Sequence, residues 1–470
     1  MSVDTLEKVT AGELLTGAAV TMVNGLAIDS REVQPGSAYV AFVGERVDGH
    51  AFIPEAIAAG ARAVLITHDD PSVRVALERA GRDVALVRVA DAQHAVEALG
   101  SWHRNRLQCP VIGITGSTGK TTTKDFLKSV LATRLRVVAT GGNRNNELGV
   151  PLTVMEAGVE TEALVVEMAM RGRGQIAHLC GIARPDSGLI TNVGVSHVEL
   201  LGSEEAIAAA KGELIDAIPA DGRVFLNGDD AWTDRLAARA SAPVTRYGTG
   251  EGIDVRATGV AVDEYGHPRF DLETSVGVAE IVLPTPGRHN VYNAMAAAAV
   301  GLHLGLDLAD VVAGLEHATF SGWRMETFES ASGVTVINDA YNANPTSMRA
   351  ALAALADVPA QGKRVAVLGD MAELGSLTEL AHFQLGEIVA EGDTDVLVTV
   401  GPRALRIADG ARAAGMAPDA VRPCEHNAEA AEVLDDLLER GDVVLVKASR
   451  VMGLESIVEG IMDPRVRPSS

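Results

Sequence analysis

From Val111 to Thr123 the chain reads VIGITGSTGKTTT, an apolar run that ends in Gly116, Ser117, Thr118, Gly119, Lys120, Thr121 and Thr122. A strand, a glycine-rich turn and a helix in that order aim backbone N–H groups and the positive end of a helix at one point, which suits a chain of phosphates. Lys120 can neutralise the outer phosphates, and a hydroxyl from Thr121 or Thr122 can reach Mg²⁺. The widespread GxxxxGK[ST] loop would need glycine where Ile114 stands, so this is a tighter GSTGKT form. Nucleotide binding is the reading, set against a chance glycine-rich turn.

Other residues suggest a metal and its neighbours. Glu167 closes the apolar run ALVVEM, where a carboxylate needs a reason to be buried. A hard cation with oxygen ligands supplies one, and an ion pair with Arg171 or Arg173 is the alternative. Ile207, Leu214 and Ile218 define an apolar helical face on which Lys211 also falls. Such a lysine either snorkels to water or is buried with a lowered pKa, and the neutral amine can then add CO₂ to become a carbamate. His197, close to Glu199 and opposite Lys211, is either a metal ligand or a satisfied loop histidine. In GRHNVYNAMAAAAV, Asn290 and Asn293 could meet an adenine edge or simply cap a helix.

The elements that must position these groups are visible as strand-length apolar runs alternating with Ala-rich helical patterns. VIGIT, ALVVEM, SGLITNV, RVFLN, VTVIN, RVAVLG, DVLVTVG and DVVLVK follow one another between residues 111 and 447. Continuous Val/Ile/Leu runs of this kind mark parallel strands covered on both faces, hence an α/β fold. Polar residues repeatedly follow the runs, where ligands of open parallel sheets bind. The first hundred residues have shorter runs, and the Pro110 junction and the TFSGWRMETF segment suggest boundaries that give regions 1–107, 108–318 and 319–470.

Length agrees with that division, since 470 residues allow roughly three domains of about 150. The sum of 40 Lys+Arg and 63 Asp+Glu is −23, a balance that disfavours nucleic acid as a partner. Aromatics make up only 3% of the chain, too few for a base-stacking platform. Cys109, Cys180 and Cys424 are far apart and show no metal-ligand spacing, which fits a reducing cytoplasm. No export signal or integral membrane segment is expected.

Taken together, GSTGKTTT, GNRNNELGVPLTV, VVEM, TNVGVSHVELLGSEEAIAAAKGEL, GRHNVYNAMAA, SGWRMETF, INDAYNANPTSM, VLGDMAELG and VKASR resemble the Mur ligases in motif and in order. The resemblance covers most of the last two regions and implies an ATP-dependent, amide-forming enzyme of peptidoglycan precursor synthesis. It implies three α/β domains: a uridine-nucleotide-binding domain, a central P-loop ATPase domain with a mainly parallel sheet, and a C-terminal Rossmann-like ligase domain. DAYNANP is similar to the branch that joins D-alanyl-D-alanine to a UDP-N-acetylmuramoyl-tripeptide, and the DNPR run of ligases adding a diamino acid is missing.

The resemblance also implies roles. Lys120 would bind ATP phosphates, Thr121 and Glu167 one Mg²⁺, and His197 with carbamylated Lys211 a second metal and the acyl phosphate. Asn290 and Asn293 would lie by the adenine, while Arg324 and Asp339 would hold the nucleotide from the third region. Tyr341, Asn342 and Asn344 would border the dipeptide. Asn146, in GNRNNELG, joins Ser30 and Arg31 of IDSR and Arg46 of FVGERVDGHAF as candidate contacts of the uridine substrate, the arginines being suited to a pyrophosphate or else exposed on loops. Ala169 and Ala448 stand where relatives usually have glycine. A monomer is expected. Another Mur ligase, a folylpolyglutamate-synthase-like ligase and a nucleotide-binding regulatory protein without turnover are the alternatives.

Overall fold

A computed structural model describes residues 1–44, 47–80, 84–194, 198–263 and 265–462. Its strands form three sheets, mostly parallel, and the chain gathers into two compact units. The first comprises Met1–Gly113, Arg136–Ala169 and Ile176–Asp186; the second comprises Ile114–Leu135, Met170–Gln175 and Ser187–Ser470.

In the first unit a five-stranded sheet runs in the order Glu13–Thr16, Ala85–Arg88, Ala63–Ile66, Ala38–Val40, Leu26–Ala27, and only the first of these is antiparallel to its neighbour. Successive residues of Ala63–Ile66 serve opposite faces, as strand geometry requires. Leu65 joins Val3, Leu6 and Leu99 on one side, and Val64 and Ile66 join Ile53 and Ile57 on the other. The helix Ala92–Arg104 carries Gly100 where a Cβ would come within 2.5 Å of Pro151, so glycine there permits close packing against the helix Gly149–Glu156. The parallel pair Val137–Ala139 and Ala163–Glu167 also belongs to this unit.

The second unit contains two sheet regions. Ser187–Ile190, Arg223–Asn227, Val244–Gly248 and Val255–Val262 pair in parallel, and the antiparallel strands Pro268–Thr274 and Gly277–Val282 extend them. The helices Lys120–Ala132, Asn290–His303 and Leu308–Glu316 pack together; a Cβ on Gly314 would meet the Val130 backbone at 2.4 Å. A separate sheet has the order Glu326–Glu329, Thr335–Asn338, Val443–Lys447, Arg364–Gly369, Val396–Val400, Val421–Cys424, with the first strand antiparallel. Helices cover both of its faces: Met348, Leu355, Leu385 and Ile407 pack on one, Leu434 and Ile457 on the other. The three cysteines are free and buried. Among the described residues no helix is long and apolar enough to cross a membrane.

Candidate active site

The phosphate-loop reading rests on backbone geometry that only glycine tolerates. Strand Val111–Thr115 is buried throughout, and Gly116 and Gly119 follow with φ of 154° and 78°. A Cβ on Gly116 would stand 1.8 Å from Thr191 Oγ1, and one on Gly119 2.4 Å from Asn293 Oδ1. Helix Lys120–Ala132 starts at once, with no side chain capping it, so its positive end faces the loop. Lys120 Nζ donates to Gly116 O at 2.7 Å, which folds the ammonium back over the turn.

A second group of residues holds this loop from behind. Asn192 Oδ1 accepts from Thr118 N at 3.0 Å, its Nδ2 donates to Thr118 O at 3.1 Å, and its carbonyl accepts from Ser117 N at 3.0 Å. Asp230 accepts from Val193 N at 2.8 Å and fixes the chain just beyond. Neither Asn192 nor Asp230 is assigned a role by a motif in the sequence. The available signal is that each lies just past the carboxyl end of a parallel strand, where ligands of such sheets bind.

Lys211 is 2% exposed on the helix Glu204–Lys211, among Ile207, Leu214 and Ile218 at 0 to 3%. Burial, with the nearby Lys120 charge adding to it, holds its ammonium well below the ordinary lysine range. Of the two readings open in the sequence, snorkelling is therefore excluded. Asn290 and Asn293 are buried and do not cap their helix: Asn290 Nδ2 donates to Pro286 O at 2.8 Å, Asn293 Nδ2 to Asn290 Oδ1 at 2.9 Å, and Thr123 Oγ1 to Asn293 Oδ1 at 3.1 Å. The amide pair thus braces the loop helix.

Beyond residue 319, Lys447 Nζ meets Asp339 Oδ2 at 2.5 Å and donates to Asn342 O at 2.8 Å, while the Arg324 guanidinium lies 3.9 Å above the Tyr341 ring. Among the described residues the buried Arg324 Nε has no hydrogen-bond partner, an arrangement that an anionic ligand would satisfy. Asn344 caps the helix Pro345–Asp357 reciprocally with Ser347, so its side chain has a local structural task. Thr346 reaches toward the loop: a Cβ on Gly194 would lie 3.4 Å from its Oγ1 and 3.8 Å from Ser117 Cβ. His289 also belongs here. Burial pushes its imidazole down to about 4, with Asp339 opposing and Lys447 reinforcing the shift.

Glu167, Asn146, Ser30 and Arg31 belong to the first unit. Glu167 is 2% exposed and accepts from Asn145 Nδ2 at 2.8 Å, while its N–H donates to Thr140 Oγ1 at 2.9 Å. Asn146 Oδ1 accepts from Gly149 N at 3.0 Å. Ser30 opens a single helical turn capped by Asp29, and the exposed Arg31 forms a fork with the Asp29 carboxylate, which it holds down to about 2. Arg46 and His197 lie outside the described residues. Asp48, His50 and His68 cluster with metal-like spacing, but His50 Nε2 accepts from Thr67 N at 3.1 Å and Nδ1 meets Asp48 at 2.6 Å, so both ring nitrogens are committed.

With this geometry, three family profiles match the chain: Mur ligase family, catalytic domain, over residues 22–103; Mur ligase middle domain over 114–301; and Mur ligase, glutamate ligase domain, over 323–450. The chain belongs to the Mur ligase family. It is 38% identical over 444 residues to the UDP-N-acetylmuramoyl-tripeptide–D-alanyl-D-alanine ligase of Bacillus subtilis, covering 94% of each chain. Among solved structures it is similar to MurF from Acinetobacter baumannii, with a TM-score of 0.86, 32% identity and 98% of each chain covered. MurF ligase from Thermotoga maritima in complex with ADP gives a TM-score of 0.78 at 29% identity, over 94% of this chain and 97% of that one.

Proposed function

We propose that this Mur ligase uses ATP to join D-alanyl-D-alanine to the peptide carboxylate of UDP-N-acetylmuramoyl-tripeptide, in the cytoplasm and as a monomer. The observation that carries the reading is the GSTGKT turn with a buried Lys211, whose ammonium is disfavoured by burial and by the Lys120 charge. The relatives' shared name supplies the substrates. Regions 1–107, 108–318 and 319–470 are proposed to serve uridine nucleotide, ATP, and dipeptide with closure.

A carboxylate is a poor electrophile, and γ-phosphoryl transfer would make it an acyl phosphate with a good leaving group. That step brings two anions into line, so positive charge must be placed in advance. Lys120 and the backbone of Gly116–Thr122 would hold the phosphates. Arg324, with its buried Nε, would add charge from the third region, and Asp339, fixed by Lys447, would take part in holding the nucleotide. Asn290 and Asn293 would act at the adenine side.

Glu167 and Thr121 are each buried and each offers an oxygen of the kind Mg²⁺ takes, and that ion would neutralise phosphate charge when bound. Lys211 as a carbamate, together with His197, would supply further ligands. Ser30, Arg31, Arg46 and Asn146 would contact the uridine substrate, and Tyr341, Asn342 and Asn344 the dipeptide. The dipeptide amine, with an ordinary pKa of roughly 8, would attack without a strong base. A tetrahedral intermediate would then collapse to amide and phosphate.

The test is ADP release that depends on both UDP-N-acetylmuramoyl-tripeptide and D-alanyl-D-alanine. Release with lysine or diaminopimelate in place of the dipeptide would overturn the substrate assignment.

A further inference from the structure

The segment around Ser321 is fastened to the phosphate-loop helix through a buried ion pair to which the ligase chemistry above assigns no part. Lys124 and Asp125, one turn after Lys120, are 3% and 4% exposed, and Lys124 Nζ meets Asp125 Oδ1 at 2.6 Å. Ser321 completes the group: its N–H donates to Asp125 Oδ2 at 2.8 Å, and its hydroxyl lies 3.2 Å from Asp125 Oδ1 and 3.3 Å from Lys124 Nζ. Just before Ser321, Thr319 N donates to Ser129 Oγ at 3.3 Å and Phe320 packs edge-on against Phe126 with centroids 4.9 Å apart.

Two residues beyond, the backbone is strained. Trp323 and Met325 have φ of 64° and 52°, the left-handed region that side chains with a Cβ rarely adopt, and they bracket Arg324. Trp323 N donates to Glu326 Oε2 at 2.8 Å and Trp323 O accepts from Tyr341 N at 3.2 Å, so the strained turn is tied down behind Arg324 as Ser321 ties it in front. A buried ion pair is a weak source of stability, and its best attested use is to select one register. Here the register selected is that of Arg324 relative to the loop.

We propose that Lys124, Asp125 and Ser321 form a positioning clamp that sets the Arg324 guanidinium against the phosphates of a nucleoside triphosphate held by Gly116–Thr122. The clamp links the two nucleotide-contacting regions through the helix that starts at Lys120. This rests on the nucleotide reading given above.

The test is a double-mutant cycle in the full-length protein, with calorimetric binding of adenylyl imidodiphosphate and Mg²⁺ as readout. Ser321→Ala should weaken binding about tenfold in the otherwise native chain, the effect of losing hydrogen bonds to a charged group. In an Arg324→Ala background the same change should cost less than about twofold, because its effect passes through Arg324. Ser321→Thr, which keeps the hydroxyl, should restore most of the affinity. Asp125→Asn should behave like Ser321→Ala if it folds, and the serine variants decide the matter if it does not.

An equal loss in both backgrounds would overturn the clamp, as would a Ser321→Ala protein that melts earlier but binds normally; in both cases the nucleotide reading stands. A native chain that fails to bind the analogue would overturn both.

Discussion

Burial lowers the pKa of both Lys211 and His289, and each shift leads to a measurable consequence. A lysine amine kept below its ordinary pKa is the form that adds CO₂. Lys211→Ala should lower turnover about 10- to 100-fold, the usual range for losing a group that supports a metal. Short carboxylic acids should restore part of it, and ¹³CO₂ should give the native protein, but not the variant, a carbamate carbon resonance. Full activity in the variant alone would exclude the role. For His289 the sign runs the other way from a paired histidine. Its folded pKa is about 4 against 6.5, so the unfolded chain binds the proton first as pH falls. The stability it contributes is present above pH 6.5 and is lost on the way down to 4. His289→Gln, compared with the native chain by denaturant unfolding between those limits, should flatten the pH dependence; an unchanged difference at every pH would refute the assignment. Lys211 was legible in the sequence because its face was apolar. The protonation state of His289 was not, because Asp339 and Lys447 approach it from positions more than 40 residues away along the chain.

At the scale of the element, the loop depends on two glycines whose backbone no other residue adopts without strain. Gly119→Ala should cost about 1 kcal/mol or more in stability for the left-handed φ alone. The Cβ would also press on Asn293 Oδ1, which Thr123 already engages. The KM for ATP should therefore rise while turnover at saturation falls less, and an unchanged KM would mean that the loop does not bind the nucleotide. This element was fully legible: strand, turn and helix are all local in sequence, and the helix begins at Lys120, directly after the turn. The parallel strands were legible for the same reason, their two-sided burial giving continuous apolar runs. The hairpin Pro268–Thr274 and Gly277–Val282 was missed. Its residues alternate between buried and exposed, so RFDLET contains no apolar run and only the period of two marks it. The clamp was also beyond reach, since Asp125 and Ser321 are nearly 200 residues apart.

For the whole molecule, a net charge of −23 must coexist with substrates that are themselves anions. On the proposed reading, phosphates would be met by fixed devices: the helix end at Lys120, that lysine itself, and Arg324 with its buried Nε. Such groups act over a few ångströms, whereas the summed charge acts over the Debye length, which shrinks from about 30 Å to about 10 Å between 0.01 and 0.1 M salt. The two contributions therefore separate by ionic strength. Far from the site an incoming nucleotide is repelled, and added salt removes that repulsion. Once seated, partly buried contacts are screened much less. The association rate of adenylyl imidodiphosphate, at fixed free Mg²⁺, should accordingly rise severalfold over this salt range, while its dissociation rate changes little. Stopped-flow fluorescence would follow both. A steep fall in association rate with salt would show instead that a local basic field reaches into solution and overcomes the acidic surface, and the local account of phosphate binding would then be wrong.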